Sequence, residues 1–82
     1  GHDSRWVVAG LLWMVGADGY AAHGDFVRDS LRHDEAVVRE TALEIFLVNE
    51  PGEEAVAKQC ELSARDACEA VVRLAKRKLS TL

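Results

Sequence analysis

Two cysteines and two histidines are the side chains of this sequence best suited to bind a metal or attack a substrate. Cys60 and Cys68 are eight residues apart, a spacing found neither in CxxC redox pairs nor in zinc knuckles. His23 and His33 are ten apart, so no HxxxH or HxH spacing brings them to one helix face. We therefore expect solvated histidines, no bound metal, and free thiols that favour a reducing, cytoplasmic compartment.

Residues 18–29 have the length of an EF-hand calcium loop but lack its ligands. The third and fifth positions are Tyr20 and Ala22, and the loop closes on Asp29 instead of a glutamate. Calcium loops need oxygen ligands at these positions. The sequence also offers no nucleophile elbow and no glycine-rich phosphate loop. We therefore expect a protein that is not an enzyme and needs no cofactor.

Charge is unevenly distributed along the 82 residues, whose formal net charge is −4. Residues 1–72 contain 6 basic and 14 acidic side chains, whereas residues 73–82 contain four basic side chains and no acid. An acidic surface repels nucleic-acid phosphates. The basic end also suits the negative pole of a helix C-terminus, which is the simplest explanation for it.

Helices must position these side chains, because every periodic stretch of the sequence has helical spacing. We predict a single all-α domain over residues 1–82, a compact bundle of about five helices at residues 4–16, 20–32, 35–49, 53–61 and 63–79, with a turn at 16–19. Its longest apolar run, residues 6–15, is shorter than the roughly 20 residues that cross a bilayer. We expect the chain to be part of a longer protein, with residues 1–2 an expression scar.

Residue types also predict the helix starts and the buried faces. Asp34 is expected to be the N-cap of the third helix, and Ser63 with Asp66 to form a capping box that opens the fifth. Glu35 and Arg39 are expected to pair on the outer face of the third helix. The positions predicted to face the core are Phe26, Val27, Leu31, Val38, Ala42, Ile45, Phe46, Ala67, Val71 and Leu74.

One pattern with helical spacing runs through the third helix and consists of Asp34, Val38, Arg39, Ala42 and Phe46. It resembles the second helix of a HEAT repeat, in which an aspartate caps the helix, an apolar residue and an arginine follow, and a small residue permits close packing. The string EAVVR occurs at residues 35–39 and 69–73, an offset close to the length of helical-hairpin repeats. The resemblance covers residues 20–49 and implies a protein-binding surface of stacked helices. A well-capped amphipathic helix would show the same pattern.

A second pattern covers residues 53–79, a helix-turn-helix-like C-terminal half, and resembles the trihelical core of sigma-factor region four and of winged-helix regulators. It consists of Val56, Ala57, Cys60, Leu62, Ser63, Ala67 and Val71. The turn departs from the motif at Glu61, where a glycine is usual. The resemblance implies a helix that reads DNA, with candidate contacts at Arg65, Arg73, Lys76, Arg77 and Lys78.

Two functions remain open. The first is a non-catalytic protein–protein interaction module, an adaptor or oligomerisation domain, that binds a protein partner or a second copy. Its expected interface is Trp6, Leu12 and Trp13, because the predicted first helix is apolar almost all round and tryptophan is favoured at interfaces. The alternative is a helix-turn-helix DNA-binding domain of a transcriptional regulator, which the acidic balance over residues 1–72 disfavours.

Overall fold

The helical periodicity of the sequence is realised as four helices. The computed structural model describes residues 17–82, and its helices are α1 (Ala17–Ser30), α2 (Ala36–Asn49), α3 (Glu53–Ser63) and α4 (Glu69–Leu79). No strand occurs within this range, so the all-α prediction is confirmed there. The predicted first helix, residues 4–16, lies outside the described residues, which leaves four helices against the five predicted.

The four helices form two hairpins whose backbones repeat at a spacing of 33 residues. Residues 31–35 join α1 to α2, and residues 64–68 join α3 to α4. The two turns share their hydrogen bonds: Leu31 and Ala64 N–H donate to Val27 and Cys60 O, and His33 and Asp66 N–H donate to Ser30 and Ser63 O. The closest packing lies within each hairpin and between α2 and α4. The hairpins therefore stack side by side through their second helices.

Burial follows the same spacing of 33 residues. The buried residues at equivalent positions are Val38 and Ala42 in α2, and Val71 and Ala75 in α4. The EAVVR string repeats at 34 instead, because its glutamate is the N-cap at Glu35 but the first helical residue at Glu69. One residue turns a helix by about 100°, so a 34-residue register would exchange a buried valine for the partly exposed Val72.

The core is centred on α2, which packs against both α1 and α4. Its buried residues are Val38, Thr41, Ala42, Leu43, Ile45 and Phe46. Around them lie Val27 from α1, Val56 and Cys60 from α3, and Val71 and Ala75 from α4. Burying one large apolar side chain contributes about 1.5–3 kcal/mol. Because α2 packs against both α1 and α4, the burial of its apolar side chains stabilises the stacking of the two hairpins. The predicted core positions of this helix, Val38, Ala42, Ile45 and Phe46, are confirmed.

Two predicted core positions in the other helices are wrong. Phe26 is 37% exposed, because the inward stripe of α1 runs through Tyr20 and Val27. Ala67 is exposed, because it lies in the turn before α4 and not in a helix. The remaining predictions hold, since Val27 and Val71 are buried and Leu31 and Leu74 are partly buried.

The predicted helix starts also need correction. Asp34 does not cap α2, whose N-cap is Glu35 without a side-chain capping bond. Ser63 is the last residue of α3, and α4 begins only at Glu69. Residues 17–19, predicted as part of a turn, are helical. Each hairpin turn consists of five residues. Asp34 and Asp66 therefore lie inside turns, and Ser63 lies just before one, so none of them is the N-cap of a helix.

Candidate functional site

Arg39 and Asp66 form an ion pair between the two hairpins. The Arg39 Nε and Nη2 atoms donate to Asp66 Oδ2 and Oδ1 at 2.8 and 3.0 Å. The two side chains are 18% and 12% exposed, so the pair is largely shielded from water. Arg39 Nη1 donates to the carbonyl oxygens of His33 and Asp34, each at 2.8 Å. Arg39, predicted to point outward, thus binds the turn of its own hairpin and the turn of the next.

The Asp66 carboxylate is stabilised in its charged form. Hydrogen bonds from Arg39 lower the pKa of Asp66 and outweigh burial, which raises it, and the Cys68 N–H at 2.8 Å lowers it further. The equivalent residue of the first hairpin is His33, whose Nδ1 accepts from the Glu35 N–H at 3.0 Å. Both turns therefore place a side-chain acceptor at the same position, and in the second turn that acceptor also binds the neighbouring hairpin.

The α2/α4 groove lies between the second helices of the hairpins and has a volume of about 200 Å³. Its walls carry Glu40 and Glu44 from α2, and Arg73 and Arg77 from α4. Burial and the neighbouring Glu40 raise the pKa of Glu44. Arg73 also donates to Glu69 at 2.7 Å, in a pair that is mostly exposed. The charges of the two walls compensate each other.

The α1/α3 groove lies between the first helices of the hairpins and is larger, about 330 Å³. Its cationic side chains are Arg28, Arg32 and Lys58, and its apolar side chains include Leu31, Phe46 and Leu62. Leu62 is a large apolar residue, yet 57% of its surface is exposed to solvent. The volume lies at the lower end of the range for small-molecule pockets, about 300–1,000 Å³.

Glu50 supplies the one carboxylate among the described residues that line the α1/α3 groove. Side chains of α1 already bind this carboxylate. Tyr20 Oη donates to Glu50 Oε2 at 2.7 Å, and Arg28 Nη1 lies 3.7 Å from the same oxygen. Burial, helped by this hydrogen bond, raises the pKa of Tyr20 to about 12. Arg32 and Lys58 make no ion pair with any residue in the range 17–82. They are the cations that the groove can offer to a ligand.

The predicted DNA contacts are distributed over the turn before α4 and over α4 itself. Arg65 lies in the exposed turn before α4, whereas Arg73 and Arg77 line the α2/α4 groove. Lys78 lines a separate cavity beside Val56. Three of these cations, Lys76, Arg77 and Lys78, occupy the last turn of α4, where they favourably oppose the helix dipole. 

The interface predicted at Trp6, Leu12 and Trp13 lies outside the described residues. Cys60 and Cys68 are free, and burial raises the pKa of Cys60. In the described part of the chain, no group of three or more histidine, cysteine or acidic side chains could hold a metal ion.

Sequence reasoning missed the α1/α3 groove. Arg28 and Arg32 are four residues apart in the sequence, which is one local signal for it. Lys58 and Leu62 have the same spacing in α3. Nothing in the sequence indicates that these two pairs line one groove, because that depends on how the hairpins stack.

None of the helices within residues 17–82 combines the length and the apolar character needed to cross a bilayer. Comparison with protein-family models, with curated proteins and with solved structures finds no match to this chain.

Proposed function

We propose that this chain is a non-catalytic, cytoplasmic protein–protein interaction module built from stacked helical hairpins, similar to those of HEAT repeats. The observation that carries the proposal is one hairpin geometry repeated after 33 residues, with α2 packed on α4. Stacked hairpins of this length form extended surfaces that bind other proteins. The free thiols of Cys60 and Cys68 support a reducing compartment.

The contact between the hairpins supports a rigid stack. A binding surface that spans two hairpins needs a fixed relationship between them, and a bidentate arginine–carboxylate pair is a strong, directional contact. Arg39 and Asp66 supply such a pair across the boundary between the hairpins. The two grooves on either side of this boundary then keep a constant shape, which favours selective binding.

The lining of the grooves supports binding without catalysis. Alkyl, carboxylate and guanidinium groups line both grooves, and the α1/α3 groove adds the Lys58 ammonium, the Gln59 carboxamide and the Phe46 ring; no serine, threonine, cysteine or histidine of residues 17–82 lines either one. Such groups recognise charged and apolar side chains of another protein. Within residues 17–82, we therefore nominate no nucleophile and no general base.

A DNA-binding domain remains the alternative, and the exposed cations of the second hairpin favour it. Arg65, Arg73, Lys76 and Arg77 are all exposed. Two observations weaken it: Arg73 and Arg77 share their groove with Glu40 and Glu44, and the residues of the turn include the negatively charged Asp66.

Affinity capture with matched variants tests the proposal. The baits are the full wild-type chain, Arg73→Glu/Arg77→Glu in the α2/α4 groove, Arg32→Glu/Lys58→Glu in the α1/α3 groove, and the control Arg65→Glu/Lys76→Glu. We expect a protein that binds the wild type and the control but is lost by one groove variant, and that binds again as purified components. A chain that captures no protein through either groove and does not self-associate contradicts the proposal.

Fluorescence anisotropy with a labelled mixed-sequence duplex tests the alternative. DNA binding that weakens steeply with salt, and that Arg65→Ala and Arg73→Ala reduce, would establish the helix-turn-helix function instead. We expect no binding at physiological salt.

Self-association through Trp6, Leu12 and Trp13 is tested by light scattering: a dimer that Trp6→Ser/Trp13→Ser converts to a monomer would identify the second copy as the partner.

A further inference from the structure

We infer that the α1/α3 groove binds an acidic peptide segment that carries a large apolar anchor residue. This inference rests on the proposed function, since it names the class of partner that one face of the module takes. Three features of the groove lead to it: two cations without an ion pair to any of residues 17–82, an apolar wall with an exposed leucine, and an open volume of about 330 Å³.

The charge of the groove selects an acidic partner. The protein as a whole is acidic, with a net charge of −4, yet Arg28, Arg32 and Lys58 meet in this groove. Glu50 is held by Tyr20 and Arg28, and Arg28 also binds Asp25 at 2.9 Å. Arg32 and Lys58 have no such ion pair among the described residues. Carboxylates of a ligand would pair with these two cations.

The apolar wall selects a peptide over a nucleic acid. Leu31, Phe46 and Leu62 line the groove, and Leu62 leaves 57% of its surface in water. A leucine-sized side chain covers such a wall and gains from apolar burial, whereas a phosphate backbone offers nothing to it.

The N-terminal segment of this chain is a poor match for the groove. Residues 1–16 contain one acidic and one basic side chain, Asp3 and Arg5, so they bring no net negative charge to Arg32 and Lys58. Charge complementarity therefore favours an acidic partner over this segment.

Methyl and amide NMR of the full chain tests the inference directly. The probe is a short synthetic peptide of aspartate and glutamate around a central Leu-Leu pair. The matched controls are a peptide with Ser-Ser at the centre, one with lysine in place of the acids, and a single-stranded DNA of equal length. We expect saturable shifts of the Leu31 and Leu62 methyl signals with the first peptide only.

Charge-reversal variants locate the site. Arg32→Glu/Lys58→Glu should weaken peptide binding about tenfold, the size expected for two exposed ion pairs, while Arg65→Glu/Lys76→Glu should change it less than about twofold. All four substitutions are at exposed positions, and an unchanged amide spectrum verifies folding. Leu62→Ser should remove the preference for Leu-Leu over Ser-Ser.

Several results would overturn the inference. They are unchanged affinity in Arg32→Glu/Lys58→Glu, equal binding of the Ser-Ser peptide or of the DNA, no shift at millimolar peptide, or contacts between the Trp6 or Trp13 indole and the Leu62 methyls. If a captured protein partner still binds Arg32→Glu/Lys58→Glu, the proposed function stands and only this inference fails. If no protein partner is captured by any bait and the chain does not self-associate, the proposed function fails with it.

Discussion

Arg39 in α2 and Asp66 in the turn before α4 are joined by two hydrogen bonds of 2.8 and 3.0 Å, and they belong to different hairpins. The same guanidinium donates to two carbonyl oxygens of its own turn. One side chain thus satisfies polar groups of both turns, which ties the local structure of each hairpin to their stacking.

Removing either member of the pair should destabilise the fold. Arg39→Met should lower the free energy of unfolding by about 2–3 kcal/mol, because it leaves a largely buried carboxylate without its partner. Urea unfolding of Arg39→Met, Asp66→Asn and the double variant forms a double-mutant cycle, in which we expect a coupling of about 1–2 kcal/mol. The control, Arg73→Met, breaks the exposed pair with Glu69 and should cost less than about 0.5 kcal/mol. Equal losses in Arg39→Met and Arg73→Met would contradict the assigned role.

The same pair should make stability depend on acid pH. The pKa of Asp66 in the folded protein lies below its ordinary value of 3.8. Its stabilising contribution is therefore complete above that value and is lost as the pH falls through the lower folded pKa. The difference in unfolding free energy between the wild type and Asp66→Asn should be constant near neutral pH and shrink below about pH 4. A difference that does not vary with pH would exclude this linkage.

Tyr20 should titrate at unusually high pH. Burial and the hydrogen bond to Glu50 raise its pKa to about 12, and it is the only tyrosine of the sequence, so ultraviolet absorbance of the tyrosinate reports it alone. The folded state keeps its proton longer than the unfolded state, so this stabilisation is complete below about pH 10 and is lost as the pH rises towards 12. Glu50→Gln should move the pKa back towards 10.0. Titration near pH 10 in the wild type would contradict the Tyr20–Glu50 contact.

The 33-residue register of the hairpins makes a prediction for two adjacent valines. Val71 is 1% exposed and Val72 is partly exposed. Val71→Ala should therefore lower the free energy of unfolding by about 2 kcal/mol, and Val72→Ala by less than about 1 kcal/mol. Thermal or urea unfolding measures both. A larger loss at Val72 would favour the 34-residue register of the EAVVR string.

The sequence alone determined the all-α class of residues 17–82 and the face of α2 that is buried. Val38, Ala42, Ile45 and Phe46 recur at helical spacing, and local periodicity suffices to identify such a stripe. Pro51, which cannot continue a helix, follows the last residue of α2, Asn49, and precedes the first residue of α3, Glu53. These features depend on residues within a few positions of each other, so no knowledge of the stacking was needed.

Only the tertiary structure decided which side chains meet. Arg39 and Asp66 are 27 residues apart in sequence, and their contact exists because α2 packs on α4. For the same reason, the pattern that suggested a capping role for Asp66 could not show its bond to Arg39. The α1/α3 groove likewise needs Arg32 and Lys58, which belong to different hairpins. They lie in one groove because the hairpins stack in the 33-residue register. The buried residues determine that register, whereas the repeated EAVVR string would indicate a spacing of 34.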